Sequence, residues 1–264
     1  MTRRINLDAL EQGLAYCMSV NGDSVSKERL EPISDQTPIH YNSVNIFCGK
    51  QGSGKTYSAF KEIIKISHIS PETHLVIIIT KDESEDDATI TAMLPMIRIP
   101  VIYVKEDDAE DFVKSMLEAK RLYNQVMSEG IQPEGEQLQE MMKKLFIHDF
   151  SRQWLHTVLL FNDIAKSKLF KKAEGYFNQL IPICRHIQCS FFLNIQFWKG
   201  INPEIKVNLT TAFIFGGFSK EQLQYILRQL SVAHSFYEVF GAYKSLEKYQ
   251  KLIVDNNTGE VYIE

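Results

Sequence analysis

The chain has few cysteines for its length: four in 264 residues, Cys17, Cys48, Cys184 and Cys189, with no pair at metal-ligand spacing. That excludes a disulfide-stapled scaffold and a cysteine-built zinc site, and Cys48 lies in an apolar run, so all four are read as reduced thiols. No apolar stretch approaches the ~18 consecutive residues of a membrane-spanning helix. The opening "MTRRINLDALEQG" has two arginines but no apolar segment behind them, so a signal peptide is not expected. The expected setting is a cytosol, or a particle assembled in one. A large excess of one sign of charge is also lacking. A net charge of −4 argues against a general nucleic-acid coat, so any such contact must come from a local patch or an oligomeric channel. Internal repeats and low-complexity segments are absent.

Apolar residues make up 44% of the chain, enough for a large core. Residues 1–40 hold one short helical pattern and a polar stretch with Pro32 and Pro38, and are read as an N-terminal extension. From 41 to 264 strand-like and helix-like patterns alternate. "SVNIFC" (43–48), "HLVIIIT" (74–80), "PVIYV" (100–104), "SFFLNIQ" (190–196) and "TAFIFGG" (211–217) are apolar runs of strand length. "YSAFKEIIKIS" (57–67) has helical spacing, a helix is expected near 170–185, and residues 109–146 read as a helical insertion broken at "GIQPEG". Ser219 and Gln222 form a capping-box pattern, and "KLIVDNNTGEVYIE" reads as a hairpin. Apolar strands between helices predict a mainly parallel sheet buried on both faces. The acidic runs at 81–87 and 105–111 are read as solvated loop and helix-start residues.

"GKQGSGKT", Gly49 to Thr56, follows the first of these strands and precedes a helix, matching G-x-x-x-x-G-K-[ST] in full. Its glycines let successive N–H groups turn inward toward phosphate oxygens, and the helix start adds a positive dipole end. The expected nucleotide-binding set is Gly49, Gly52, Ser53, Gly54, Lys55, Thr56 and Tyr57. Lys55 reaches the β- and γ-phosphates, and Thr56 supplies a hydroxyl to Mg²⁺. About a hundred residues on, the apolar run "HTVLLF" ends on Asn162-Asp163, where a P-loop enzyme places an acid that holds Mg²⁺ or orients water. The alternative for Asp163 is a turn residue. Gln196 ends another strand, where it would approach the γ-phosphate. Arg185 is a candidate for transition-state charge, possible in a neighbouring subunit's site, with a surface ion pair as its alternative.

These pieces together resemble the viral DNA-packaging ATPases of the FtsK–HerA superfamily, the branch of poxviruses, other large DNA viruses and virophages. The resemblance covers roughly residues 43–230. It rests on "GKQGSGKT", "VLLFNDIAKSKL", "NQLIPICRHIQCSFFLNIQ" and "INPEIKVNLTTAFIFGGFSKEQLQYIL". It implies an α/β P-loop NTPase with a RecA-like three-layer sandwich, ATP and Mg²⁺ as cofactors, and a ring-shaped homo-oligomer that drives double-stranded DNA into a preformed capsid. Capsid or portal-vertex proteins, and a membrane-associated packaging partner, would be its other contacts. The host cytoplasm (a viral factory) or the virion would be its location. Asp163 falls on the catalytic acid and Gln196 on the sensor position.

Two positions depart from the family pattern. Asn162 stands where the first acid is expected, which keeps an acceptor oxygen for the metal site but removes a charge. Lys206, near Asn208, stands where the poxvirus-type sequence has arginine. Lys166, Lys168, Lys171 and Lys172 could line a DNA path or form a solvated helical face. Two further readings remain open: a plasmid or chromosome DNA pump, and a nucleotide-gated assembly protein with little turnover. A nucleoside kinase is less favoured, since no lid motif or acceptor site is evident.

Overall fold

A computed structural model describes residues 3–4, 40–81, 88–130, 135–162, 167–170 and 174–264. The strands in chain order are β1 (Arg3–Arg4), β2 (Val44–Cys48), β3 (Thr73–Thr80), β4 (Val101–Lys105), β5 (His156–Phe161), β6 (Cys189–Ile195), β7 (Thr211–Phe215), β8 (Lys251–Asp255) and β9 (Val261–Ile263). They form one nine-stranded sheet in the order β1-β4-β3-β5-β6-β2-β7-β8-β9. The six strands from β4 to β7 in that order run parallel, and the edges close with antiparallel pairs.

The helices are α1 (Lys55–Ile69), α2 (Ala88–Met93), α3 (Ala109–Glu129), α4 (Gly135–Leu145), α5 (Tyr176–Leu180), α6 (Pro203–Val207), α7 (Lys220–Leu227) and α8 (Phe236–Lys244). They make two layers, because the central strands are mostly apolar, are buried at every position and need cover on both faces. On one face Phe60 and Ile63 of α1, with Ile90 of α2, pack on Phe47, Val76, Leu160 and Phe213. Phe47 stacks on Phe213 with ring centroids 4.3 Å apart. On the other face Val113, Met116 and Tyr123 of α3 and Leu145 of α4 join α5 to α8 over Ile46, Ile77, Leu159 and Leu193. The segment 109–146 therefore supplies part of the core layer. Its two helices part where Gly130 takes a left-handed φ of 66°.

The helix expected near 170–185 is shorter, with only Tyr176–Leu180 helical among the described residues. Pro182 has no N–H to continue the ladder. The capping box of Ser219 and Gln222 forms as the sequence suggests, and the C-terminal hairpin is β8–β9. Cys48, Cys184 and Cys189 are free thiols, while Cys17 lies outside the described residues. No described helix is long and apolar enough to cross a membrane.

Candidate nucleotide site

The loop between β2 and α1 leaves the sheet at its centre, between β6 and β7. Gly49 continues the parallel pairing, its N–H donating to the Ile195 carbonyl at 3.2 Å. No side chain fits there: a Cβ on Gly49 would sit 2.6 Å from Ser53 Oγ and 2.7 Å from Phe215 Cβ. Gly52 and Gly54 have φ of 73° and 93°, the left-handed region that lets consecutive N–H groups face one concavity. Helix α1 then begins at Lys55, with Ser58 N–H donating to Gly54 O at 2.9 Å.

The polar groups of this loop fit a phosphate tail. Lys55 Nζ donates to the Lys50 carbonyl at 2.9 Å, which holds the ammonium across the loop. Its charge reaches the strand below. Burial pushes the Cys48 thiol up to about 12, and the Lys55 charge works against that rise. Ser53 Oγ is buried with no hydrogen-bond partner among the described residues, so a buried hydroxyl at the loop is left to a ligand. Thr56 is half-buried and Tyr57 is exposed, both in the first turn of α1.

Strand β6 separates β2 from β5, so the ends of three adjacent strands converge on one edge. Gln196 stands just past β6, and Asn162 follows β5, its N–H donating to Ile79 O at 3.0 Å. The Asn162 amide oxygen accepts from Asn194 Nδ2 at 3.0 Å, so its side chain is tied to β6. Asp163 and Lys166, as well as Lys171 and Lys172, lie outside the described residues; Lys168 is exposed. Among the described residues no three His, Cys, Asp or Glu side chains form a cation cage. A metal here would draw on Thr56, the segment after β5 and the phosphates themselves.

Arg185 is not brought to this loop. It is exposed in the turn before β6, at the opposite edge of the sheet. The seven-residue strand puts it roughly 20 Å from the phosphate edge. Within one chain it cannot touch a γ-phosphate, which leaves only a neighbouring subunit's site or a surface role. Lys206, at the end of α6, places its ammonium 5.9 Å from the Tyr225 ring centroid.

Sequence reasoning missed three contributors. Glu106, in the acidic run taken as solvated, accepts from Ser167 Oγ at 2.8 Å and from Lys168 N–H at 2.7 Å, tethering the segment after Asn162. Tyr243 of α8 donates to Phe215 O at 2.9 Å and accepts from Phe218 N–H at 2.8 Å, fixing the Gly216-Gly217 turn beside the P-loop. Tyr249 lies against Gly54. None of these contacts carries a local sequence signal, because each joins residues distant in the chain.

No protein-family model and no curated protein sequence matches the chain. Solved structures do. The genome packaging NTPase B204 from Sulfolobus turreted icosahedral virus 2, in complex with ATP-gammaS, superimposes with a TM-score of 0.54 at 16% identity, covering 84% of this chain and 97% of that one. The DNA-packaging ATPase B204 from Sulfolobus turreted icosahedral virus gives 0.54 at 15% identity, over 84% and 97%. The cytoplasmic domain of the type VII secretion ATPase EccC from Thermomonospora curvata gives 0.52 at 15% identity, over 83% of this chain but 25% of that one. The glycine loop, the strand inserted between β2 and β5, and these superpositions agree: the chain has the RecA-like P-loop NTPase fold.

Proposed function

We propose that the protein is a Mg²⁺-dependent ATPase that moves double-stranded viral DNA into a preformed capsid, acting as a homo-oligomeric ring. The observation that carries this reading is the convergence of "GKQGSGKT", Gln196 and Asn162 on one edge of the sheet. The likeness to packaging NTPases over nearly their whole length supports the DNA-packaging part.

In this site the amides from Gly49 to Thr56 and the Lys55 ammonium bind the phosphate tail, and Thr56 with Asp163 holds Mg²⁺. Held there, Mg²⁺ would supply positive charge against the β- and γ-phosphates. Asp163 orients the attacking water. Gln196, at the tip of a rigid central strand, senses the γ-phosphate and passes its state to the body of the sheet. Arg185 acts, if at all, in a neighbouring subunit's site, as its distance from its own P-loop requires. Portal-vertex or capsid proteins are the proposed docking partners, in the host cytoplasm or the virion.

A second reading draws on the Asn162–Asn194 hydrogen bond. It occupies an acceptor that would otherwise serve the metal site, and Asn162 carries no charge. This favours a nucleotide-gated assembly protein with little turnover. Steady-state ATP hydrolysis with Mg²⁺, with and without long double-stranded DNA and with Lys55→Ala as the blank, separates the two. Turnover that rises with DNA and vanishes in Lys55→Ala supports the motor. Tight ATP binding without turnover under either condition refutes it in favour of the gate.

A further inference from the structure

The sheet order fixes which way a bound nucleotide must lie. Gln196 and Asn162, the groups suited to the γ-phosphate, stand on the β6–β5 side of the P-loop. The sugar and base therefore leave on the other side, toward β7 and β8. An exposed tyrosine waits there. Tyr249, in the turn before β8, puts its Cδ1 3.5 Å and its Cβ 3.9 Å from where a Cβ on Gly54 would lie, and its surface is 59% exposed.

The backbone at Tyr249 has φ 72°, a left-handed conformation that glycine or asparagine would hold more easily. The Glu247–Gln250 turn maintains it: Glu247 N–H donates to Gln250 Oε1 at 2.8 Å and Gln250 N–H to Glu247 O at 3.1 Å. An aromatic residue is kept at this strained position with most of its surface in water and the Lys248 ammonium 4.8 Å from its ring centroid. Next to it the Gly216-Gly217 turn is open. A Cβ on Gly216 would meet nothing within 4 Å, and one on Gly217 would lie 3.4 Å from Lys50 Cδ and 3.7 Å from its Nζ.

We infer that the Tyr249 ring is the base-side wall of the nucleotide site, stacking the purine of a nucleoside triphosphate. This rests on the nucleotide reading of the P-loop above. Stacking on one aromatic face holds any base without reading its hydrogen-bonding edge. The site is therefore tight for the triphosphate and tolerant of the base, as suits a motor that uses ATP only as fuel.

The test compares ATP with inorganic tripolyphosphate, both with Mg²⁺, on the intact chain by calorimetry. Tyr249→Ala should weaken ATP binding by roughly tenfold while leaving tripolyphosphate binding unchanged, and Tyr249→Phe should behave as the parent. Equal weakening of both ligands in Tyr249→Ala would show that the ring only props Gly54, overturning the inference. No weakening of either would do the same. In both cases loss of binding in Lys55→Ala would leave the nucleotide reading standing. An intact chain that binds neither ligand would sink both proposals.

Discussion

The two edges of the central sheet use polar residues in opposite ways. At the edge where the parallel strands end, glycines expose backbone amides, Ser53 Oγ is left unpaired among the described residues, and Tyr57 and Tyr249 face solvent. At the edge where the strands begin, several polar side chains are buried and bonded to one another or to backbone carbonyls. His156 bridges Thr73 Oγ1 and Ser190 Oγ, each at 2.9 Å, and its carbonyl meets His74 Nδ1 at 2.9 Å. Lys120 of α3 donates to the carbonyls of Ile187 at 2.8 Å and Gln188 at 2.9 Å. Burial pushes the His156 imidazole down to about 3, with the Lys120 charge adding to the effect, and burial likewise lowers Lys120. Perturbed ionisable groups often mark function, but these bond to neighbouring strands and turns and hold strand ends together, with His74 Nε2 left without a partner among the described residues. In the proposed function the open edge binds and the closed edge stabilises.

Substitutions that separate the two roles test that contrast. The largest effect is expected from Lys55→Ala, which should cut ATP hydrolysis by about a hundredfold or more while leaving the unfolding midpoint in denaturant unchanged. A fall in stability of similar weight would show that Lys55 belongs to the scaffold. His156→Ala should do the reverse. It removes the side-chain partner of the buried Thr73 hydroxyl, takes one of the partners of Ser190 Oγ and leaves a small cavity, costing about 2–4 kcal/mol by chemical denaturation, with ATP affinity retained by the folded fraction.

The same histidine gives a pH signature. Its folded pKa lies below the value of about 6.5 expected when unfolded, so between the two the unfolded chain binds more protons. Its contribution to stability is therefore fully present above about pH 6.5 and is lost as pH falls from there toward about 3. Denaturation midpoints measured from pH 7 to pH 5 should fall, and His156→Gln should flatten that slope. Because His74 is also lowered by burial, some slope should remain.

Smaller effects sharpen the picture at the open edge. Asn162→Asp restores a charge beside the expected metal and can still accept from Asn194, so it should lower the Mg²⁺ concentration for half-maximal hydrolysis severalfold. An unchanged Mg²⁺ requirement would place Asn162 outside the metal site. The smallest effect is assigned to Arg185→Ala, which should leave ATP binding by the isolated chain unaltered. Weakened binding there would contradict its place at the far edge.

Much of this architecture is legible in the sequence because the signals are local. Gly49, Gly52 and Gly54 announce a loop only such residues can form, and predominantly apolar strands announce a sheet covered on both faces. The hundred residues between the P-loop and Asn162 left room for further strands; in space it is β6, later in the chain, that comes to lie between β2 and β5. What the sequence hid depends on tertiary contact. Tyr249 is nearly two hundred residues from Gly54, Glu106 is unremarkable within an acidic run, and Lys120 looks like a surface residue of an amphipathic helix until α3 lies on the sheet. Arg185 shows the converse: its place beside a catalytic-looking strand is plain, but only strand direction reveals that it enters at the wrong end for its own phosphate loop.

The central claim is that nucleotide binds at one edge alone. Amide hydrogen exchange with and without Mg²⁺ and ATP tests it across the whole chain. The account predicts slowed exchange in residues 49–57 and around Gln196, with no change at residues 156–158 and 189–190. Protection at the strand-start edge, or none in the glycine loop at saturating ATP, would contradict it.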